Sequence, residues 1–328
     1  MLKENEIRPA ELRKKSCELF EQDARELLAF GDKFVEINCP ACGTDNNSVY
    51  FVKNGYKFKK CQTCRSLYIS PRPTVELLEN YYTNSRASKF WQEKVFKVSK
   101  EARIEKIHKP RVDMVLEYVK KYNIDTDLLL EVGAGSGFFG LELNKRKIFK
   151  KIVLVEPAPI EFEQNESIVL INDVVENVKL KEKPNVVVSF ELIEHIFSPY
   201  EFLKSVYELM PENSFIILTT PNIEGFELLT IGEKSSNIGG PSHLNYFNTT
   251  SINILLQKVG FKPVLVDTPG ELDADIVINK HLEGGLDISN QPFLNHILIE
   301  NADKHLERFQ KFLQESKLSS HMLVVARK

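Results

Sequence analysis

The stretch that decides the fold is LLLEVGAGSGFFGLEL, residues 128–143, which contains two overlapping glycine patterns. Gly135, Gly137 and Gly140 form the G-x-G-x-x-G of a dinucleotide-binding turn. Shifted back by two positions, a G-x-G-x-G pattern follows Glu131. An apolar, strand-like run precedes the glycines and a helix-capable run follows them, so the backbone of the loop can approach a ligand closely. The sequence therefore predicts a ligand-binding turn between a strand and a helix.

Short apolar runs rich in branched residues recur after this point and are separated by helix-capable or turn-rich segments. They are DLLLEVG (127–133), KIVLVEP (151–157), NVVVSFE (185–191), SFIILTTP (214–221), KPVLVDTP (262–269) and SHMLVVARK (320–328). Continuous apolar strands are typical of a parallel sheet whose two faces are both covered by helices. A further strand would end at LINDVVENV (170–178), between the second and third of these runs. We therefore expect an α/β fold with a doubly wound, Rossmann-like sheet of seven strands.

Composition sets broad limits on the partners. The chain has 328 residues, 42% of them hydrophobic, and a formal net charge of −3. This length suffices for about two domains, and the charge gives no global reason to expect nucleic acid or an anionic membrane as partner. We find no apolar run of the ~20 residues that a membrane span needs, and no apolar signal-peptide core at the N-terminus. We therefore expect a cytoplasmic protein with no membrane partner.

Four of the five cysteines fall in two C-x2-C pairs. Cys39 and Cys42 form the first pair, and Cys61 and Cys64 follow after eighteen residues. Each pair presents two thiolates from one tight turn, and two such turns complete a tetrahedron around one ion. The spacing predicts a structural zinc site, with iron and four unrelated buried cysteines as alternatives. A site with four thiolates has no open position, so its expected role is in folding.

The segment around the second pair is basic and aromatic. Residues 46–75 contain no Asp or Glu, but contain four lysines and two arginines among five tyrosines and phenylalanines. Such a segment could bind nucleic acid or a phosphate-bearing substrate. Alternatively, the lysines could offset the net negative charge of a zinc–thiolate centre. The sequence leaves these three interpretations open.

Acidic residues stand at the ends of successive strands. Glu131 lies just before the glycines, where a pyrophosphate would be repelled and a cationic ligand would not. Glu156 ends the second strand, Asp173 ends the third, and Glu191–His195 follow the fourth. Together these positions resemble the class I S-adenosylmethionine-dependent methyltransferases, and the resemblance covers residues 110–328. A NAD-type site, in which Glu156 would hold the ribose, is the alternative.

The resemblance implies a role for each of these residues. The loop of Gly133, Gly135 and Gly137 would pass under the methionine and ribose of S-adenosylmethionine, with Glu131 near the amino or sulfonium end. Glu156 would accept both ribose hydroxyls, and Asp173 would bond adenine N6. Phe190 and Glu191 would border the cofactor. Tyr82, in a helix ahead of the sheet, could cover it, since aromatic faces attract cations; helix packing is the alternative.

Candidate catalytic and substrate-binding residues follow the fourth, fifth and sixth strands. His195 is a natural base near neutral pH, with Glu194 in support, although it could instead pack against the cofactor or cap a helix. The segment GGPSHLNYFNTT (239–250) would bring His243, Asn245 and Tyr246 to the substrate. Asp273 and Asp275 could contact sugar hydroxyls or lie in a solvated turn. We list His195, His243 and Glu194 as catalytic candidates.

The sequence predicts four segments. They are an N-terminal helical segment (1–38), a zinc ribbon (39–74), a helical linker or cofactor cover (75–110) and a methyltransferase domain (111–328) with a helical insertion at about 281–320. The insertion could be a lid, a homodimer element or both. A cysteine module followed by SPRPTVELLENYY (70–82) resembles methyltransferases of bacterial sugar and surface-polysaccharide clusters.

We therefore expect methyl transfer from S-adenosylmethionine to a small-molecule acceptor, a nucleotide-linked sugar or a polysaccharide precursor. The near-zero net charge disfavours the first alternative, an RNA methyltransferase that binds RNA through its ribbon. The second alternative is a non-catalytic zinc scaffold with a vestigial cofactor fold. The acceptor atom does not follow from the sequence, because one fold and cofactor site serve many acceptors.

Overall fold

The predicted apolar runs form the strands at the centre of the molecule. The computed structural model describes residues 2–160 and 164–328. The strands in this part are β1 (Asn47–Lys53), β2 (Tyr56–Cys61), β3 (Leu67–Ile69), β4 (Leu128–Val132), β5 (Lys151–Val155), β6 (Ile168–Ile171), β7 (Val186–Phe190), β8 (Phe215–Pro221), β9 (Asn245–Tyr246), β10 (Lys262–Asp267) and β11 (His321–Arg327).

Helices surround these strands and precede them in the chain. Those of the described residues are α1 (Glu4–Ile7), α2 (Ala10–Leu28), α3 (Val75–Asn84), α4 (Arg86–Phe90), α5 (Lys97–Arg103), α6 (Lys109–Lys121), α7 (Phe138–Lys145), α8 (Pro199–Leu209), α9 (Phe226–Ile231), α10 (Thr249–Val259), α11 (Asp273–Leu282), α12 (Pro292–Asn295) and α13 (Ala302–Glu315). Wider π turns occupy Trp91–Phe96, Ile104–His108 and His296–Glu300, and 3-10 turns occupy Gly31–Lys33, Val175–Asn177 and Gly232–Lys234.

Seven of the described strands form one mixed sheet in the order β6-β5-β4-β7-β8-β11-β10. Strands β4 to β8 pair in parallel, and β11 runs antiparallel between β8 and β10. The prediction of a doubly wound, Rossmann-like sheet is confirmed. The strand order reverses between β4 and β7, and ligands of open α/β sheets bind in the crevice outside such a switch point.

The sheet is covered on both faces, which explains its uninterrupted apolar runs. All five residues of β4 are buried. On one face, α6 and α7 contribute a cluster with Val112, Val115 and Phe139. On the other face, α8 and α10 pack together with the cysteine pairs. Burial of each branched side chain stabilises the fold by about 1.5–3 kcal/mol, so the core tolerates few polar residues.

The cysteine segment folds into a small antiparallel sheet. Its hairpin turns at Asn54 and Gly55, both with positive φ, as the two-residue turn of a twisted hairpin requires. Strand β3 pairs with β2, and β9, which follows β8 by more than twenty residues, adds the fourth strand beside β3. The small sheet therefore includes a piece of the C-terminal segment, residues 111–328.

Arg72 joins the two parts further. Its guanidinium is fully buried and donates to the carbonyls of Ile69, Phe197 and Leu244 and to Oδ1 of Asn245, at 2.9–3.1 Å. Burial lowers the pKa of Arg72 to about 9. Neutral oxygens from the cysteine segment, from the loop after β7 and from β9 thus share one cation.

Helices before and after the sheet complete the molecule. The segments α1 to α6 precede β4, and α11 to α13 lie between β10 and β11. The predicted insertion at 281–320 is helical, and α11, which packs against α13, begins earlier, at Asp273. Its use as a lid or dimer element and the four segment boundaries stay predictions. In the described part of the chain, no helix is both long and apolar enough to cross a membrane.

The position of Arg72 leads to a stability prediction. Arg72→Met keeps the apolar stem but removes a charged donor from four buried oxygens. We expect it to reduce the free energy of unfolding by about 2–3 kcal/mol and the Tm by roughly 5–10 °C, measured by thermal denaturation. The matched control is Arg65→Met, because Arg65 is an exposed partner of Glu224 and such pairs contribute little. Equal melting of the two variants would contradict the role given to Arg72.

Candidate functional site

The glycine loop lies at the switch point of the sheet. Gly133 and Gly135 adopt positive φ (76° and 53°), and Gly137 (69°) opens α7. The N–H groups of Gly133 and Ala134 donate to the carbonyl of Val155 at the end of β5, at 2.8 and 3.2 Å. A Cβ on Gly135 would meet nothing within 4 Å, so open space lies above the loop there. A ligand can therefore approach the backbone at the start of α7.

Gly140 has a different role. A Cβ at this position would lie 2.5 Å from a methyl group of Leu154 and 3.0 Å from Oε2 of Glu131. Its glycine permits α7 to pack closely on the sheet. The G-x-G-x-G that follows Glu131 is therefore the pattern that shapes the loop, and the third glycine of the dinucleotide pattern is a packing position.

Glu131 ends β4 as a buried acid. Its side chain is 3% exposed, and its Oε2 has no hydrogen-bond partner among the described residues. Burial raises the pKa of Glu131 to about 8, against the lowering effects of the Gly140 backbone N–H and of Arg111. A buried carboxyl with an unpaired oxygen is costly in a native structure unless a ligand supplies its partner.

Glu156 and Asp173 follow β5 and β6, as predicted. The two oxygens of Glu156 accept the N–H groups of Gly135 and Ala158, at 2.9 and 3.0 Å. Because each carboxylate oxygen has more than one lone pair, ribose hydroxyls can still bind there. Asp173 is partly exposed, and its Oδ1 accepts from the side-chain amide of Asn177 at 2.8 Å. Glu156 therefore borders the glycine loop, and Asp173 follows the neighbouring strand β6.

Glu191 follows β7 with a positive φ of 54° and is half-buried. Its Oε1 accepts from Oγ1 of Thr219 (2.5 Å), Nε2 of His321 (2.6 Å) and Nη2 of Arg111 (3.2 Å). Burial raises the pKa of Glu191, but these three partners outweigh it and keep the pKa low. The Arg111 guanidinium also lies over the ring of Phe190, 4.8 Å from its centroid.

Arg111 and His321 were not among the predicted site residues. Arg111 lies in an amphipathic helix before the first strand of the large sheet, and His321 begins the last strand. Neither belongs to a recognisable motif. The available signal was the position of His321 at a strand end. Because β11 runs antiparallel to its neighbours, its N-terminal end lies at the same edge of the sheet as the C-terminal ends of the parallel strands.

The three catalytic candidates lie together. Glu194, His195 and His243 each have a ligand-type atom within 4.8 Å of the others, and the two imidazole centroids are 4.6 Å apart. Nδ1 of His195 donates to the carbonyl of Ser242 at 2.6 Å, and Nδ1 of His243 donates to that of Asn237 at 2.9 Å. Since a carbonyl only accepts, Nδ1 carries the proton in both rings, and Nε2 holds the lone pair.

Burial shifts the pKa of each of these three groups toward its uncharged form. Burial lowers the pKa of His195, and burial together with the charge of His195 lowers that of His243 to about 3. Burial and the neighbouring Glu191 raise the pKa of Glu194, whose Oε2 accepts from the Thr220 hydroxyl at 2.9 Å. Both imidazoles are therefore neutral at physiological pH.

Tyr82 brings the helical segment to this cluster. Its hydroxyl donates to the carbonyl of Ser242 at 3.0 Å, and its ring lies edge-on to His195, 6.3 Å between centroids. The side chain is 38% exposed, so part of it remains accessible beside the histidines. Whether it covers a cofactor stays a prediction.

The structure gives Asn245 and Tyr246 a framework position instead of the expected substrate-facing one. Both are buried, because β9 joins the small sheet. Asn245 accepts from Arg72 and donates to the carbonyl of Ile196, and the Tyr246 hydroxyl accepts the N–H of Gly239. Their polar atoms are already used within the protein.

Asp273 and Asp275 also lie apart from the expected sugar contacts. Asp273 accepts from Ser319 (2.6 Å) and Gln310 (3.0 Å), which hold the insertion together. Asp275 accepts from the backbone of Glu4 at 2.8 Å and pairs with Lys3. The sequence predicted a turn after β10 that faces solvent or substrate. Instead, α11 begins there and both carboxylates are buried in its packing.

The four paired cysteines converge. Sγ atoms of Cys39 and Cys64 are 3.4 Å apart, those of Cys42 and Cys61 are 3.6 Å apart, and all four lie within 4.8 Å of one another. Tetrahedral zinc with Zn–S bonds of about 2.3 Å places its sulfurs roughly 3.8 Å apart. The separations exceed a disulfide bond and fit thiolates around one ion. Cys17 lies outside this cluster.

The fold and the acidic strand ends define a class I methyltransferase. A family profile described as a methyltransferase domain matches residues 103–266, half of the chain. The chain belongs to this family and is an S-adenosylmethionine-dependent methyltransferase. The residues fit this cofactor, because the unpaired carboxyl of Glu131 and the open loop at Gly135 offer a partner for a cation and room for its backbone contacts.

Solved structures resemble the chain at low identity. One is an S-adenosylmethionine-dependent methyltransferase from Clostridium acetobutylicum (10% identity, TM-score 0.45, covering 72% of this chain and 98% of the other). Another is the plantazolicin methyltransferase with S-adenosylhomocysteine (14%, 0.47, 76% and 94%). A third is the 1,6-didemethyltoxoflavin-N1-methyltransferase of Burkholderia thailandensis (9%, 0.46, 86% and 99%). No curated protein sequence matches the chain.

The raised pKa of Glu131 leads to a prediction on cofactor binding. A cationic ligand favours the ionised carboxyl, so binding at pH 7 releases a proton and affinity increases as pH rises toward about 8. We expect calorimetry of S-adenosylmethionine binding in buffers of different ionisation enthalpy to detect this release. Glu131→Gln should release fewer protons and bind about tenfold more weakly. Glu142→Gln, on α7, is the control; proton release equal to wild type in Glu131→Gln would contradict the assignment.

Proposed function

We propose that this enzyme methylates a small-molecule acceptor, with His195 as the general base. The observation that supports this role is the bond from Nδ1 of His195 to the Ser242 carbonyl, which leaves Nε2 as a proton acceptor. Burial keeps the imidazole neutral, because it lowers the pKa. His243, within van der Waals range of the first ring, limits its rotation. A neutral, oriented imidazole is ready to accept a proton at neutral pH.

The bound cofactor supplies an electrophilic methyl group on a sulfonium. Under the proposal, Nε2 of His195 takes the proton of the acceptor hydroxyl or amine as the acceptor atom bonds to the methyl carbon. The carbon–sulfur bond would break in the same step, and its electron pair would leave on sulfur. Thr219, Arg111 and His321 hold Glu191 ionised at the edge of this cavity. Tyr82 restricts water from one side. Alignment and proton removal are the contributions that a displacement at carbon requires from the protein.

We assign the further cofactor contacts as the resemblance implied them. The loop of Gly133, Gly135 and Gly137 would carry the methionine and ribose, Glu156 the ribose hydroxyls, and Asp173 the adenine edge. Phe190 and Tyr82 would border the cofactor on two sides. The positions of these residues around one loop at the switch point support the assignment.

We also propose that the cysteine cluster holds one structural zinc ion. Cys39, Cys42, Cys61 and Cys64 supply four thiolates and no open position, which supports a role in folding. The acceptor we favour is a nucleotide-linked sugar or polysaccharide precursor, since the cysteine module and SPRPTVELLENYY (70–82) resemble sugar methyltransferases. RNA is the second candidate, because basic residues surround the cysteines.

His195→Gln tests the base. Glutamine can keep a bond to the Ser242 carbonyl but cannot accept a proton, so we expect a loss of roughly 10²–10⁴-fold in kcat with nearly unchanged affinity for the cofactor. The decline of wild-type kcat at acidic pH, where Nε2 becomes protonated, should vanish in the variant. His296→Gln, at an exposed site in the insertion, is the control. Unchanged turnover in His195→Gln would reject the role.

Cys61→Ser tests the zinc site. We expect elemental analysis to find one zinc per chain in the wild type and much less in Cys61→Ser, with a Tm lower by several degrees because metal binding contributes to folding. Cys17→Ser should retain zinc and melt like the wild type. Wild-type protein that contains no zinc, or iron in its place, would refute the assignment.

A transfer assay with labelled S-adenosylmethionine tests the acceptor class. We expect label to enter a nucleotide sugar and not RNA, with transfer that changes little between low and moderate salt. Label in RNA together with a steep decline in salt would favour the second candidate. If no nucleotide sugar or glycan in the panel accepts the labelled methyl group, the proposed substrate class is wrong.

A further inference from the structure

Basic side chains of the helical segment lie near one another and near the start of α7. We call Arg8, Arg103 and His108 the basic cluster; they follow α1, end α5 and end the π turn before α6. No established contact of the methyltransferase fold described above uses them. Arg111, which is close by, differs because it pairs with Glu191.

Arg8 has a buried group without a partner. Its Nε is buried and makes no hydrogen bond, and within residues 2–160 and 164–328 no carboxylate forms an ion pair with it. Its charge lowers the pKa of His243 and counteracts the raised pKa of Glu227, so it lies near the histidine pair. Within the described residues Glu227 forms no ion pair with it, and its carboxylate accepts from Ser235 and Asn237.

Arg103 is held in place without a carboxylate. Its Nε donates to Oγ of Ser99 and its Nη2 to the carbonyl of Ile7, both at 3.0 Å, which brings it beside Arg8. Its guanidinium stacks over Phe96, 4.5 Å from the centroid. Burial, Arg8 and Arg111 lower the pKa of Arg103 to about 9. Two guanidiniums are thus placed together with uncharged partners.

His108 connects the cluster to the cofactor loop. Its ring lies edge-on to Phe138, the first residue of α7, 5.6 Å between centroids. Its Nδ1 is buried and has no hydrogen-bond partner in the described chain. Burial and the charges of Arg111 and Arg103 lower the pKa of His108 to about 3. Neighbouring guanidinium charges and buried nitrogens without partners are unfavourable unless an anion binds among them.

From this arrangement we propose that Arg8, Arg103 and His108 bind a phosphate group of the acceptor. Two guanidiniums without carboxylate partners match the charge of a phosphate monoester or diphosphate, and their forks suit its oxygens. The proposal rests on the proposed function, because a nucleotide-linked acceptor carries this group. The carboxylate of the cofactor is the other anion that could reach the cluster, and it carries a single charge.

Binding of two probes separates these sources. We would measure inorganic pyrophosphate and uridine diphosphate by calorimetry on the full chain saturated with S-adenosylhomocysteine, and S-adenosylhomocysteine alone. Arg8→Gln should weaken pyrophosphate and uridine diphosphate binding at least ~10-fold and change S-adenosylhomocysteine affinity less than ~2-fold. Arg146→Gln is the matched control, because Arg146 pairs with Asp113 on the surface; it should bind both probes as the wild type does.

Other outcomes overturn the proposal. An equal loss of S-adenosylhomocysteine affinity in Arg8→Gln would identify the cofactor carboxylate as the anion. Pyrophosphate that binds Arg8→Gln as well as wild type, or fails to raise the wild-type Tm, would refute the phosphate site even if Arg8→Gln is poorly folded. Arg8→Lys, which keeps the charge, should bind pyrophosphate more tightly than Arg8→Gln. Methyl transfer to RNA alone would reject the proposed acceptor, whereas these binding measurements decide the phosphate site separately.

Discussion

The structure depends on one constraint, which is the turn of the backbone at the end of β4. The chain must leave a fully buried strand, reverse and start α7 within a few residues, and glycines at three positions permit the positive φ angles that this requires. Because β4 lies at the switch point, this turn also decides which strand ends surround the cavity. Glu156 accepts from the loop at Gly135, and Glu191 follows the neighbouring strand β7.

Three glutamates near this turn differ in the partners that their carboxyl groups have within the protein. Glu191 stays ionised because a guanidinium, an imidazole and a hydroxyl surround it. Glu194 has one hydroxyl partner and an elevated pKa. Glu131 retains an unpaired oxygen, so the protein stores an unfavourable group where the cofactor's cation is expected. The difference lies in the neighbours that each strand end receives, since all three have the same kind of side chain.

Local patterns predicted the parts of the structure that depend on neighbouring residues in the chain. The apolar runs predicted the sheet, the C-x2-C spacing predicted the cysteine cluster, and the residues after β7 predicted the position of His195. Asn245 and Asp273 show where this reasoning ends. The sequence predicted that their loops face the substrate, but β9 pairs with the small sheet and α11 packs against the insertion. Contacts between distant segments decided both positions, and no local pattern encodes them.

Arg111 and His321 are site residues that the sequence did not predict, for the same reason. They converge on Glu191 from a helix before the sheet and from its last strand, more than two hundred residues apart in the chain. No motif connects them. Only the antiparallel direction of β11 brings His321 to the cavity edge.

The shared small sheet has a consequence for the evolution and engineering of this chain. Ile69 donates its N–H to the carbonyl of Leu244, the neighbour of His243, and β3 pairs directly with β9. Excision of the cysteine segment would expose the unpaired edge of β9 and detach the loop that holds His243. The segment is therefore not an interchangeable attachment, and a chimera with a different N-terminal module would have to supply its own strand beside Asn245 and Tyr246.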